Sequence, residues 1–371
     1  MPDYALMHRP ATTVDFGLSP QQEERCSVLH NSLFVFDALM ECSWYDSLVG
    51  LAQTGGLSGG NLSLGITDMH GWLEGDEFPV DLWWSWRALE NDLKQLPEIV
   101  RRHPNDVAVC LNAQELLAAK SDQKVGLMPG VQNTQFLERD LGRLGMAHDL
   151  GLRIVLLTYN RTNYVGSGCM ESPDAQFGLS RFGEEVVGAI NDRNMLVDTG
   201  HCSSPTLMAA VQVSEKPVAC SHSGLRSMVD QPRSHTDEAV KLLADRGGVF
   251  GVISTPGALN GQSRCTVNDY LDNIEHAVNL AGIDHVGVGT DFVLASSLEQ
   301  ILGGPDWGQA ERERVGVAVD VWPWSEGHVG MENSSGYPNL TRGLVARGYS
   351  DEDIAKIMGG NWLRLIEATI G

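Results

Sequence analysis

Short apolar runs alternate with amphipathic stretches along most of this 371-residue chain. Each change of period marks a predicted change of element. Ser19-Pro20 followed by QQEERCSVLHNSL predicts a capped first helix, because serine accepts from orphan amides and proline suits the first turn. Phe34-Val35-Phe36 predicts a buried strand running out into Asp37-Ala38-Leu39-Met40-Glu41. The glycine-rich residues 55–64 (GGLSGGNLSL) predict a flexible turn into the next strand, LSLGIT, since they lack the lysine and spacing of a phosphate loop. Helices are predicted over 81–101, 134–150 and 182–192, and strands over 106–111, 125–128 and 153–158. Trp83, Trp84 and Trp86 fall in the first turns of the 81–101 helix, as core or as pocket wall.

The stretch VDTGHCSSPTLMAAVQVSEKPVACSHS, which begins at Val197, carries the chemistry. Two apolar runs, Met195–Val197 and Pro217–Cys220, end shortly before His201 and His222. Ser203, Ser204 and Pro205 between them read as a helix start. In a parallel α/β sheet the strand ends open on one face, so the two imidazoles are expected to meet there. Two neutral imidazoles on a rigid rim form a half-site for zinc or a similar ion. Cys202 and Cys220, next to the histidines, are expected to turn into the core.

Further on, strands are predicted over 249–253 and 285–289, the second delivering Thr290-Asp291-Phe292, with a helix over 267–280. Residues 300–338 have little periodicity and are expected to form a lid-like irregular segment. Two amphipathic helices close the chain. About eight strand–helix alternations predict one (β/α)8 TIM-like barrel over residues 1–371, with an open doubly wound sheet as the alternative. Its rim would gather Glu41, Gln132, Tyr159, His201, His222 and Asp291.

A net charge of −22 argues against nucleic acid and anionic membranes as partners. Seven scattered cysteines without a CxxC pair fit a reducing compartment, and the expected location is the cytoplasm. No stretch approaches the roughly eighteen apolar residues of a membrane span.

With these residues laid out, the chain resembles the membrane (renal-type) dipeptidase family of zinc metallopeptidases, which use an amidohydrolase-like barrel. The resemblance is densest in VDTGHCS, KPVACSHSGLRSM, QPRSHTDE, RGGVFGV, HVGVGTDF and GYSDEDIAKIMGGNWLRL. It implies two bridged zinc ions that activate water against a dipeptide bond. His201 and His222 fall on the second metal's histidines. Asp291 falls on the proton-carrying acid, and Arg233 on the arginine that pairs with the substrate carboxylate. The other half of the pattern departs from the family. The ligand histidine is Leu39, the neighbouring aspartate is Glu41, the bridging glutamate is Gln132, and the histidine facing the scissile group is Tyr159.

Leucine has no lone pair to offer, and a neutral glutamine bridges two cations far worse than a carboxylate. The expectation is therefore one divalent ion, zinc first, held by His201 and His222 with Asp291 or Gln132 supplying oxygen. Asp291, Tyr159 and Glu41 are the expected catalytic residues, and Arg233 and Tyr159 the substrate-binding ones. The expected partners are a small carboxylate-bearing substrate and, at most, a second copy in a homodimer. The reading is a dipeptidase-like amide hydrolase; a lyase or isomerase on the same barrel, or an inactive binding homologue, remains the alternative.

Overall fold

The computed structural model describes residues 9–41, 46–65, 83–262, 264–292 and 328–371, with the side chains of residues 41 and 46–48 excepted. Eight parallel strands follow one another in chain order around a barrel. They are β1 (Val35–Glu41), β2 (Leu57–Leu64), β3 (Val125–Val131), β4 (Ile154–Leu156), β5 (Leu196–Asp198), β6 (Ala219–Leu225), β7 (Val249–Val252) and β8 (Val286–Val288). A parallel bridge from Met40 to Phe292 brings the end of β8 back to β1. The barrel is thus nearly closed, and the fold is the (β/α)8 type that the alternation predicts. A short strand, Val107–Val109, pairs with β3 outside the barrel path.

Phe36, Ala38, Met128, Ile154, Leu196, Ala219 and Val249, one or two from each of six strands, pack into one buried cluster with Trp362. Trp362 comes from the C-terminal helix Asn361–Thr369 and donates its indole N–H to the Val288 carbonyl at 2.9 Å. Gly287 leaves the room for that ring, since a Cβ there would run into the indole. This accounts for GGNWLRL as a fixed plug that binds the last helix to β8.

Several predicted elements move. The glycine-rich stretch is not a turn: β2 starts at Leu57, and its glycines are strand residues with tight neighbours. A Cβ on Gly59 would lie 2.8 Å from the Gly126 carbonyl, and one on Gly60 2.6 Å from the Met40 sulfur. The helix expected from 81 begins at Trp86 behind the cap Ser85, leaving Trp83 and Trp84 in the turn before it. Residues 134–150 are not one helix but a turn, Thr134–Leu137, and a helix, Gly142–Asp149. Left-handed Glu138 and Arg139 break the two apart. A helix at Ala113–Ser121, capped by Asn112, escapes the periodicity altogether.

Most of the expected lid lies outside the described residues. Within its end, 328–338, His328–Val329 pairs with Cys265–Thr266, and Met331 and Tyr337 are fully buried. Among the described residues no helix is long and apolar enough to cross a membrane.

Candidate active site

His222 lies inside β6, not after it as the apolar pattern suggests. Cys220 pairs with Phe250 and Ser223 with Val252, so three steps of β6 face two of β7. This bulge re-aims the residues it contains. The neighbouring strands make room for it, because a Cβ on Gly251 or Gly289 would collide with the Ser221 carbonyl oxygen. The bulged backbone thus sets the direction of His222.

His201 follows β5 and meets His222 across the barrel mouth, their Nε2 atoms 2.9 Å apart. Both rings are buried, and burial followed by the nearby Arg233 charge holds their pKa values well below the ordinary range. Each outer nitrogen has its own partner. His201 Nδ1 donates to Asn160 Oδ1 at 2.7 Å. His222 Nδ1 lies 2.7 Å from Ser221 Oγ, whose proton goes to Asp198 Oδ2 at 2.6 Å. Asp198 also accepts from the Ser221 and Gly200 amides, and burial raises its pKa against the pull of these donors. With Nδ1 protonated on both rings, two Nε2 lone pairs face each other. Such a pair calls for a proton or a cation. Two nitrogens at about 2.0–2.1 Å from one ion, about 90° apart, would stand at this spacing.

Asp291 follows β8 with φ +56°, a left-handed conformation that aspartate tolerates better than most residues. It is 5% exposed, and its Oδ2 stands 3.9 Å from His222 Nε2. Burial pushes its pKa up to about 6, with Arg233 pulling down and Asp37 pushing up. Asp37, fully buried in β1, accepts from the Thr290 amide at 2.9 Å and from the Tyr337 hydroxyl at 2.5 Å, and so fixes the residue before Asp291.

Arg233 is buried, not a surface loop residue. Its Nη1 donates to the Gly200 carbonyl, while Nε and Nη2 have no partner among the described residues. Tyr159 stacks on His201 with ring centroids 4.0 Å apart, and Trp84 leans on Tyr159 at 4.3 Å. The position is an aromatic wall beside the histidine pair.

The other half of the site is apolar or neutral. Leu39 is 1% exposed. Gln132, after β3, donates Nε2 to Ser63 Oγ at 2.9 Å and leaves Oε1 buried without a partner among the described residues. Glu41 ends β1 opposite Ser63, and its side chain lies outside the described residues. Among the described residues no three His, Cys, Asp or Glu side chains are grouped so as to hold an ion. The described donors at the barrel mouth are the two imidazoles, with the Asp291 carboxylate 3.9 Å from His222 Nε2, and these are donor types that a divalent ion takes. Cys202 and Cys220 are core residues, as expected. Sequence reasoning missed Asp198 and Ser221, although Asp198 stands three residues before His201 on the same strand end.

Comparison with known proteins agrees with this geometry. The sequence pattern of "Membrane dipeptidase (Peptidase family M19)" matches residues 74–306 and 311–370. Dipeptidase tcpJ of Claviceps purpurea is 28% identical over 285 residues, which cover 76% of this chain and 60% of that one. The chain thus spans about three fifths of the length of that relative. A crystal structure of an amidohydrolase from Pseudomonas aeruginosa superposes with a TM-score of 0.78 at 28% identity, over 93% of this chain and 99% of the other. The probable dipeptidase PvdM of the same organism shares the fold, with a TM-score of 0.76 at 23% identity over 95% and 99%. The chain belongs to the membrane dipeptidase family, peptidase family M19.

Proposed function

We propose that this chain is a metal-dependent hydrolase of dipeptide-like amide bonds that works with one divalent ion, zinc first, rather than two. The observation that carries the reading is the facing pair of Nε2 lone pairs on His201 and His222, each fixed by a partner on Nδ1. Asp291 is the carboxylate within reach of that pair. A bound ion would polarise the scissile carbonyl and make a water molecule acidic near neutral pH. Asp291, 3.9 Å from His222 Nε2, takes a proton from the attacking water and returns it to the leaving amine. Arg233 offers two unpartnered N–H groups in a fixed fork, suited to a substrate carboxylate. Tyr159 walls the cleft over His201. Six cysteines among the described residues are free and buried, which supports a reducing location such as the cytoplasm.

Elemental analysis of protein purified without added metal is expected to find at most one ion per chain, lost in His201→Ala and His222→Ala. Two stoichiometric ions would overturn the single-ion site. Incubation with dipeptides and N-acyl amino acids is expected to release free amino acid. No release from any of them would sink the hydrolase reading.

Arg233→Lys is expected to weaken binding of a carboxylate-bearing ligand about tenfold with little change in melting temperature, because lysine cannot make the paired contact. Equal affinity in titrations of the two proteins would remove Arg233 from the substrate site.

A further inference from the structure

Among the described residues, Gln132 Oε1 and Trp84 Nε1, at the rim of the cleft on the side that lacks metal ligands, are buried without a partner, as is Asn61 Oδ1 deeper in β2. Gln132 is 1% exposed and Trp84 4%. A buried donor or acceptor left unanswered costs about 1–3 kcal/mol, so a pair at one cleft points to a ligand that answers both.

Their placement is set by the barrel. Leu64 of β2 pairs with Val131 of β3, so the next residues along, Gly65 and Gln132, are neighbours at the rim. The Trp84 amide donates to the Gly65 carbonyl at 2.6 Å, which seats the indole over these strand ends. Gly65, at φ +83°, lets the chain turn there, and a Cβ on it would lie 3.5 Å from the indole ring. From Trp84 the wall continues through Tyr159 to His201. Around the mouth the order is therefore Trp84 and Gln132, then Tyr159, then the histidine pair. Arg233 joins at Gly200, beside His201.

The described groups at this end, Leu39, Ser63, Trp84 and Gln132, carry no charge. An ammonium offers only donors and would leave the Trp84 N–H unanswered. A carboxylate offers only acceptors and would leave the Gln132 carbonyl unanswered. A secondary amide supplies one of each on opposite edges of a flat group, which also suits an aromatic wall.

We infer that the place vacated by first-metal ligands is a subsite for a second, uncleaved amide, so that the substrate is an N-acylated peptide rather than one with a free amino terminus. This rests on the hydrolase reading for the position of the scissile bond. The amide N–H donates to Gln132 Oε1 and its carbonyl accepts from Trp84 Nε1, while the carboxylate lies at Arg233. Gln132 thereby leaves the set of metal ligands and becomes a substrate-binding residue.

The test compares N-acetyl-L-alanyl-L-alanine with L-alanyl-L-alanine by calorimetric titration of the purified protein, with amino acid release followed in parallel. The acetylated peptide is expected to bind about tenfold tighter or more, as one satisfied buried pair implies. Gln132→Met and Trp84→Phe, which keep size and ring, are each expected to reduce that preference at least fivefold. A wild-type ratio of one or below, no binding of either peptide, or an unchanged ratio in either variant overturns the subsite. If the preference holds and is lost in the variants while neither peptide is cleaved, the subsite stands and the hydrolase reading fails.

Discussion

Asp291→Asn is expected to lower turnover by about 10²–10⁴-fold while the protein still folds, the range by which a positioned acid–base group contributes. Asparagine keeps the shape of the side chain and tolerates the left-handed backbone at φ +56° as well as aspartate does. The anchoring bonds from Thr290 to Asp37 do not involve the altered atoms. What is lost is a carboxyl group buried to 5% exposure, 3.9 Å from His222 Nε2 and with its pKa pushed up to about 6. Such a group can accept a proton near neutral pH and give it back. The measurement is kcat on whichever peptide the protein cleaves, beside circular-dichroism melting of both proteins. Turnover equal to the parent's would make Asp291 a structural residue and remove the proposed proton carrier.

The parts of the site that were legible in the sequence are those carried by strand ends. His201 and Asp291 follow apolar runs directly, and a parallel strand can only deliver them to one rim. His222 reaches the same rim by a different route, through a bulge that no periodicity reveals, because the extra residue leaves the apolar pattern of β6 unchanged. The glycine-rich β2 does not declare itself a strand for a related reason. Its glycines answer to the Gly126 carbonyl and to Met40 on neighbouring strands, and those neighbours are remote in sequence. Trp84 was placed in a helix by composition, yet its backbone bond to Gly65 holds it over the cleft. Asn160 and Asp198 fix the imidazole tautomers through side-chain bonds of long sequence separation, Asp198 by way of Ser221 beside His222. Such bonds leave no local signature. The resemblance supplied what periodicity could not: Arg233 lies in a polar loop, and only its near-complete burial explains its presence there.

The triple change Leu39→His, Glu41→Asp and Gln132→Glu is expected to raise the metal content from one ion at most towards two. Each change restores a donor type that divalent ions take, imidazole nitrogen or carboxylate oxygen. Glutamate at 132 can still accept the Ser63 hydroxyl on one oxygen, because the present bond runs between Gln132 Nε2 and Ser63 Oγ and the serine can reverse its role. Its other oxygen would take the place of the unpartnered Oε1. That charge also offsets the repulsion between two dications, which a neutral amide cannot do. Histidine at 39 is the demanding step. Leu39 is 1% exposed, its amide donates to Asp37 Oδ1 at 3.2 Å, and the register of β1 against β2 shifts between Asp37 and Met40. The irregular stretch decides where a side chain at 39 points. Elemental analysis after zinc loading and desalting, with melting curves to confirm folding, reads the result. A second ion in the folded variant would mean that the site was lost through its ligands alone. A folded variant that still holds one ion or none would mean that the backbone of β1 has moved with them, and the single-ion centre would then be a property of the barrel as well as of its side chains.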